Sequence, residues 1–397
     1  MSFDIALSGI QAINEQLETV SNNIANAATY GFKSSRANFS SVYAGTRANG
    51  VEIGSITQSI GQNGSAVTTG RALDAAIDGR GFFVSRDPQG GMTYTRVGIF
   101  DTDTQGYLID TNNKRVQGYG PANGGALGPM GDIKIPTGQI PAVATKSIDY
   151  VGNMSADWTV PTTTPLDISN SATYNMTRPS KVYDSLGTQH TLTQYFVKKD
   201  DNTVNVFYSF DGKPPASATV PDHTLTFGTD GKLTGGTTKA YGFPAAAGAL
   251  AGNVTIDYTG TTRLAGEQTN TTNQSDGYRS GAFMKVELAA DGSLVAKYSN
   301  DQSQVVGTIA IATFANEGAL NPTSDTSWTA NATSGDALYN TPGVGLSGKL
   351  SIASLEGSNV DITSELVGLM TSQRNYQANS KVLSTESQMM QALMQAM

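Results

Sequence analysis

The residues that could carry out chemistry are few in this chain. It has two histidines, His190 and His223, and no cysteine. A serine or cysteine nucleophile needs a neighbouring base, most often histidine, so such a mechanism has little material here. His190 stands beside a predicted strand and is interpreted as a surface residue. Acidic residues could form a glycosidase pair, but their spacing singles out no pair. The sequence therefore predicts a protein that is not an enzyme.

One loop imitates the start of a calcium site. Asp101, Asp103 and Gly106 occupy positions 1, 3 and 6 of such a loop. Position 12 is Asn112, so the bidentate carboxylate is missing. The segment 64–70 lacks the lysine and the spacing of a phosphate-binding loop. We therefore expect a hairpin turn at Asp103, and neither a metal site nor a cofactor.

Composition excludes several partners. The 397 residues carry a net charge of −8, and only 15% are charged, against about 25% in typical domains. No Lys/Arg cluster is present to neutralise phosphates, so nucleic acid is not expected. No apolar run approaches the roughly eighteen residues of a membrane span, so membrane insertion is not expected. The first basic residue is Lys33, which predicts that any export does not use a standard cleaved signal.

The N-terminal segment 1–28 predicts an amphipathic helix. Its apolar residues recur at alternating steps of three and four, the stripe of a helix that packs along another helix. The β-rich middle of the chain cannot easily cover this stripe, so we expect it to contact another copy of the chain. An ordinary helical hairpin within one monomer is the alternative. The stripe consists of Phe3, Ala6, Ile10, Ile13, Leu17, Val20, Ile24 and Ala27.

The C-terminal segment 361–397 predicts a second helix, with Asp361 or Ser358 as its N-cap. One column of residues spaced seven positions apart is apolar and includes Ile362, Leu369, Tyr376, Leu383 and Met390. A second column reads Leu366, Gln373, Ser380, Ser387 and Met394. A polar group sealed away without a partner costs roughly 1–3 kcal/mol, so the polar middle of this column predicts several neighbours. Subunit contacts are expected at Leu366, Leu369, Tyr376, Leu383 and Met390.

Between the helices the sequence is patterned as strands and turns. Alternating residues flank Asp291-Gly292, as in a two-residue hairpin turn. The fold class predicted is mainly β with α-helical termini, in discontinuous nested domains. The predicted ranges are a terminal helical core domain (1–28 and 361–397), an extended connector (29–70 and 343–360), an inner β domain (71–149 and 278–342) and an inserted outer β domain (150–277).

Three sequence blocks carry a resemblance. Residues 21–33, SNNIANAATYGFK, resemble the N-terminal signature of the bacterial flagellar rod and hook proteins. Residues 73–83, LDAAIDGRGFF, and 358–379, which include SNVD and QRNYQAN, are similar to further blocks of that family. The signature asparagines could end the first helix or bond a neighbouring subunit, and both readings stay open. The signature residues are Asn22, Asn23, Asn26, Gly31, Phe32 and Lys33.

Within this family the inserted second β domain resembles the hook branch. The resemblance implies a structural subunit of the flagellar hook, a self-assembling curved helical tube that acts as a flexible joint and transmits torque from rod to filament during swimming. It also implies an extracellular location and contacts with the distal rod protein, the hook cap, the hook-filament junction protein and the flagellar type III export apparatus. The alternatives are a distal rod subunit and a secreted β-rich glycan-binding protein.

Overall fold

The structure is a computed structural model that describes residues 2–44, 47–121, 126–243 and 249–396. Residues 1 and 397, the outer limits of the predicted helical ranges, lie outside the described residues. The chain divides into two compact units. The first unit comprises Met1–Thr137, Met284–Lys297 and Ser303–Met397, and the second comprises Gly138–Phe283 and Tyr298–Gln302.

The predicted fold class, mainly β with helices at both ends, is confirmed. Helix α1 spans Ser2–Ala25 and helix α2 spans Ile362–Ala396, and the two pack against each other in the first unit. Asp361 is the N-cap of α2, because its Oδ1 accepts a hydrogen bond from the Thr363 amide at 3.0 Å and its Oδ2 from the Ser364 hydroxyl at 2.7 Å.

The part of the first unit that follows α1 consists of short strands and one long hairpin. Strands β1 and β2 form that hairpin inside the range predicted as an extended connector, with Ser35 opposite Gln58. Its side chains Phe39, Tyr43 and Ile56 are exposed. The strands are β1 Ser35–Ala44, β2 Arg47–Gln58, β3 Ala66–Thr68, β4 Ala75–Asp78, β5 Phe82–Arg86, β6 Met92–Thr95, β7 Phe100–Thr102, β8 Leu108–Asp110, β9 Arg115–Tyr119 and β10 Met130–Asp132.

The second unit packs two sheets around one core, in which Tyr150, Phe196 and Tyr258 are fully buried. Its strands are β11 Ser147–Asn153, β12 Met176–Tyr183, β13 Gln189–Lys198, β14 Thr203–Phe210, β15 His223–Phe227, β16 Leu233–Gly235, β17 Thr238–Phe243, β18 Gly252–Asp257 and β19 Thr269–Ser275, with a 3₁₀ turn at Ser171–Thr173. One sheet has the order β17-β18-β11-β19 and the other β12-β13-β14-β15-β16.

The chain then returns to the first unit and pairs with its earlier strands. The strands are β20 Phe283–Leu288, β21 Ser293–Tyr298, β22 Ser303–Ile309, β23 Ile311–Thr313, β24 Asn321–Thr323, β25 Ser327–Thr329, β26 Leu338–Asn340, β27 Lys349–Ile352 and β28 Ser354–Glu356, with a 3₁₀ turn at Glu317–Ala319. The predicted turn at Asp291-Gly292 is confirmed between β20 and β21, with Gly292 at φ +83°.

The largest sheet of the described residues follows the order β20-β21-β22-β9-β5-β6-β25-β24. Strand β27 pairs with β4, and β28 pairs with β3. Both pairings are antiparallel and join the chain before α2 to the chain after α1. The two helices therefore leave the same part of the first unit. The predicted four-part division of the chain stays a prediction.

Candidate assembly site

A buried ionic cluster lies where the N-terminal signature meets strand β28. Lys33 is 1% exposed, and its Nζ donates to Glu356 Oε1 at 2.6 Å and to the Gln62 carbonyl at 2.7 Å. Arg96 Nη1 donates to Glu356 Oε2 at 3.2 Å. Glu356 thus uses both carboxylate oxygens on two buried cations. We call Lys33, Arg96 and Glu356 the ionic cluster.

The electrostatics of this cluster follow from its burial. Burial lowers the pKa of Lys33 from its usual value, and the Glu356 carboxylate opposes that change. Burial also lowers the pKa of Arg96, again against the attraction of Glu356. A buried cation without a counterion is costly. Glu356 is therefore the residue on which the other two depend.

Asn23 ties the two helices and the hairpin together. Its Nδ2 donates to the Ser35 carbonyl at 2.8 Å and to Glu365 Oε1 at 2.9 Å, and its Oδ1 accepts from the Ser35 amide at 2.9 Å. Ser35 begins β1, and Glu365 lies in the first turn of α2. One buried side chain therefore fixes the end of α1 to the start of α2.

Asn359, which precedes α2, connects the same part of the first unit through three further hydrogen bonds. Its Oδ1 accepts from the Ser34 amide at 2.7 Å, and its Nδ2 donates to the carbonyls of Ser59 and Gln62 at 3.0 Å each. Gln62 therefore bonds both Asn359 and Lys33. We use "joint" for the ionic cluster together with Asn23, Asn359 and Glu365.

The other signature residues lie at the end of the first helix or in the segment that follows it. Asn26 Nδ2 donates to the Asn22 carbonyl at 3.0 Å and to the Asn22 side chain at 2.7 Å, which satisfies a carbonyl of the last helical turn. Gly31 has φ +68°, and a Cβ there would lie 2.9 Å from Val97 Cγ2. Phe32 is half-buried next to it. Asn22 and Asn26 thus bond each other at the end of α1, whereas Gly31 and Phe32 lie beyond its last residue, Ala25. A bond to a neighbouring subunit stays a prediction.

The predicted stripe of α1 separates into two columns. The column of Ala6, Ile13 and Val20 is buried, with Ile13 only 6% exposed, against α2 and the β1–β2 hairpin. The backbone of α1 lies close to an α2 side chain here, because a Cβ on Gly9 would be 2.9 Å from Asn379 Nδ2. The other column is left partly uncovered: Phe3 is 49% exposed, and Ile10, Leu17 and Ile24 are half-buried.

The face of helix α2 that lies toward α1 is mostly polar, and several apolar residues of α2 are exposed to solvent. Ser372 is buried, and Leu369, Asn379 and Leu383 are half-buried. Leu366 is 46% exposed and Met390 is 61% exposed. Tyr376 and the column Gln373, Ser380 and Ser387 are also exposed. A recess of about 390 Å³ opens between the helices and the hairpin, lined in part by Ile13, Phe39, Val51 and Ala378.

Two members of the joint, Glu356 and Arg96, do not stand out in the sequence. Lys33 stands out only as a signature residue. A lone lysine in an almost uncharged signature indicates a carboxylate partner, but Glu356, Asp361 and Glu365 are equally close candidates in the C-terminal part of the sequence. Only the β28–β3 pairing selects Glu356.

The remaining candidates for chemistry are structural. Asp103 Oδ1 accepts from the amides of Gln105 and Tyr107, which confirms the predicted turn between β7 and β8. His190 is half-buried between Asp184 and Asp211. In the part of the chain that the structure describes, no group of three or more His, Cys, Asp or Glu side chains is arranged to hold a metal ion. No helix there is long and apolar enough to cross a membrane.

Four family profiles match consecutive parts of the chain. They are the flagella basal body rod protein (residues 3–33), the flagellar hook protein FlgE/F/G D1 domain (76–156), the flagellar basal body protein FlaE D2 domain (153–278) and the C-terminal region of the flagellar basal body rod FlgEFG proteins (353–396). The joint is built from the first and last of these segments together with Arg96 of the second.

Whole-chain relatives and a solved structure agree with these profiles. The chain is 37% identical to the flagellar hook protein FlgE of Salmonella typhimurium and 36% identical to that of Escherichia coli K12, covering 99% of each protein in both cases. The crystal structure of Helicobacter pylori flagellar hook protein FlgE2 matches 73% of this chain and all of that chain, with a TM-score of 0.54 at 13% identity, which shows a shared fold. On these grounds the chain belongs to the flagellar hook protein family.

Proposed function

We propose that this protein assembles into the curved helical tube of the flagellar hook and acts there as a flexible joint that passes torque from rod to filament. The observation that carries the proposal is the division of α1 into a buried column and an uncovered one. The intrachain partner α2 leaves Phe3, Ile10, Leu17 and Ile24 partly free, although covering them would bury more apolar area. A second copy of the chain is the partner that the family supports.

The exposed apolar residues of α2 extend the same surface. Leu366, Met370 and Met390 are each about half exposed or more. Exposed apolar patches of this kind mark sites of interaction with other proteins. We assign the contacts between copies to the uncovered α1 column together with Leu366, Leu369, Tyr376, Leu383 and Met390. The polar column of Gln373, Ser380 and Ser387 suits a helix with several neighbours.

The residues of the joint connect this helical surface to the β strands of the first unit. Lys33, Asn23 and Asn359 fix the segments at the ends of both helices to the strands of the first unit through short hydrogen bonds that are buried or partly buried. A force on the two helices is therefore transmitted to the β strands, because the segments between them are held by these bonds. Torque transmission needs such a connection in every subunit.

The finer assignments follow from the family and the sequence. The terminal helices form the helical core, and the proposed outer domain, residues 150–277, lies within the second unit. Weak polar contacts of this domain set the curvature. The subunit is secreted by the flagellar type III export apparatus without signal cleavage and meets the distal rod protein, the hook cap and the hook-filament junction protein. Its role is structural and not enzymatic, and it binds neither nucleic acid nor a membrane interior.

Electron microscopy of the concentrated, purified full-length protein tests this proposal. Curved tubes are expected for a hook subunit. Straight tubes would favour the distal rod alternative, and persistent monomers would contradict self-assembly altogether. A sugar-dependent rise in the unfolding temperature of such monomers would then favour the glycan-binding alternative.

A further inference from the structure

A histidine lies between two carboxylates beside the β12–β13 turn of the second unit. His190 Nδ1 is 2.7 Å from Asp211 Oδ2, and its Nε2 is 3.4 Å from Asp184 Oδ2. The ring stacks on Phe210 at a centroid distance of 5.0 Å. Among the described residues, these two carboxylates are the charged groups that act on the ring, and Lys213 acts on Asp211.

Only the protonated ring satisfies both contacts. An ionised carboxylate accepts hydrogen bonds but cannot donate, and a neutral imidazole has a single N–H. The shorter contact to Asp211 retains that proton when the ring becomes neutral. Nε2 then presents a lone pair to Asp184 Oδ2, whose side chain is only 4% exposed. Losing the donor leaves a buried anion beside an acceptor, which is unfavourable.

Asp184 in turn shapes the 184–188 turn. Its Oδ1 accepts from the amides of Leu186 and Thr188, both at 2.8 Å. Displacing the Asp184 carboxylate from the ring therefore moves the acceptor that organises the whole turn. The turn and the protonation of His190 are coupled through this single side chain.

The tip of the turn packs on two paired segments. Gly187 lies so close to them that a Cβ on it would be 2.5 Å from Ala142 Cβ and 3.5 Å from Arg279 Cα. These segments are joined by the bridges Ile140–Gly281 and Val143–Tyr278. They are the first and last parts of the stretch 138–283 that forms most of the second unit. The turn thus supports the place where this unit begins and ends.

We propose that His190 is a proton-operated latch, whose imidazolium holds the 184–188 turn against the paired segments 140–143 and 278–281. Loss of the ring proton releases the turn and loosens that pair. Burial disfavours the charged ring, but the hydrogen bonds and charges of Asp211 and Asp184 outweigh it and raise the pKa of His190. Release therefore occurs above the usual histidine range of about 6.5. The latch does not depend on assembly.

Hydrogen exchange of the full-length protein tests the latch. The amides of Val143 and Tyr278, which bond each other's carbonyls at 2.9 and 3.0 Å, report the paired segments. Their protection factors, corrected for the intrinsic exchange rate, are expected to fall at least about tenfold between mildly acidic and mildly alkaline pH. This is the change expected when one hydrogen bond to a charged group is lost.

Two variants distinguish release of the 184–188 turn by His190 from a general destabilisation of the second unit. Asp184→Asn keeps Oδ1 for the turn amides and offers an N–H to the neutral ring, so protection is expected to stay high at mildly alkaline pH, where the wild type loses it. His223→Gln, the control at the other histidine, is expected to lose protection at mildly alkaline pH as the wild type does. Unchanged protection in the wild type, or a full loss of protection in Asp184→Asn, would overturn the proposal.

Discussion

Lys33 Nζ lies 2.6 Å from Glu356 Oε1, so the last residue of the N-terminal signature is bonded to the strand that precedes the C-terminal helix. The two residues are separated by 323 positions, and the second unit is inserted between them. This contact explains why a lysine ends a signature that is otherwise almost uncharged. It fastens the two helix-bearing ends of the chain together.

Removing the charge of Glu356 is expected to destabilise the first unit strongly. Glu356→Gln leaves Lys33 and Arg96 buried without a counterion, which costs about 3–5 kcal/mol. The measurement is urea unfolding followed by the fluorescence of Trp328, in a Trp158→Phe background so that only the first unit reports. Glu287→Gln is the control, because its partners Lys285 and Lys297 are exposed and such pairs contribute little. Equal losses in the two variants would contradict the role of the cluster.

Asn23 is expected to control how firmly α1 is held. Asn23→Ala leaves the Ser35 backbone groups and Glu365 without their partner, at roughly 1–3 kcal/mol for each buried group. Faster hydrogen exchange of the α1 amides is the readout. Asn14→Ala makes the same Asn-to-Ala change on the exposed face of α1. Asn14 is not part of the joint, so exchange in this variant is expected to match the wild type. Similar acceleration in both variants would argue against the joint.

The two histidines are expected to give opposite pH dependences of the free energy of unfolding of the second unit. Burial opposes protonation of His190, but Asp211 and Asp184 raise its pKa in the folded protein. Its stabilising contribution is therefore complete below the unfolded value of about 6.5 and is lost as the pH rises through the folded value. Burial lowers the pKa of His223, so its contribution is present above about 6.5 and is lost as the pH falls.

Denaturant unfolding at a series of pH values checks these signs. Trp158 reports the second unit in a Trp328→Phe background, because each unit contains one of the two tryptophans. His190→Gln is expected to abolish the decline on the alkaline side only, and His223→Gln the decline that begins just below pH 6.5. An alkaline decline that persists in His190→Gln would be inconsistent with the assignment.

The helical ends and the hairpin turns could be predicted from the sequence because their signals are local. The heptad stripe of α1, the Asp361 cap and the Asp291-Gly292 turn each depend on residues within a few positions of one another. The partner of Lys33 could not be predicted in this way. It is fixed by the antiparallel pairing of β28 with β3, a contact between distant parts of the chain.

The stripe of α1 shows a second limit of sequence reasoning. Both of its columns are apolar, so the pattern cannot say that Ile13 is covered within the chain while Phe3 is exposed. The difference arises from where α2 and the hairpin lie, which periodicity does not encode. Ile13→Asp would consequently disturb the monomer as well as any contact between copies, and Phe3 is the cleaner probe.

Removing most of the second unit is expected to give tubes without curvature. Val143 and Tyr278 form an antiparallel bridge with both backbone hydrogen bonds, so residues 144–277 can be replaced by a two-residue Asn-Gly turn. The first unit keeps its helices and its joint in this variant. Electron microscopy should show straight tubes, and tubes as curved as the wild type would refute the proposed role of the second unit.

We propose that the uncovered apolar column of α1 and the exposed residues of α2 join copies of the chain. The most direct test is sedimentation of Phe3→Asp and Met390→Arg under polymerising conditions, beside Asn14→Asp, which adds the same negative charge as Phe3→Asp on the polar face of α1. Both interface variants are expected to remain monomeric with wild-type unfolding of the first unit, while Asn14→Asp polymerises. Normal yields of sedimenting tubes from Phe3→Asp and Met390→Arg would show that these residues do not join copies of the chain.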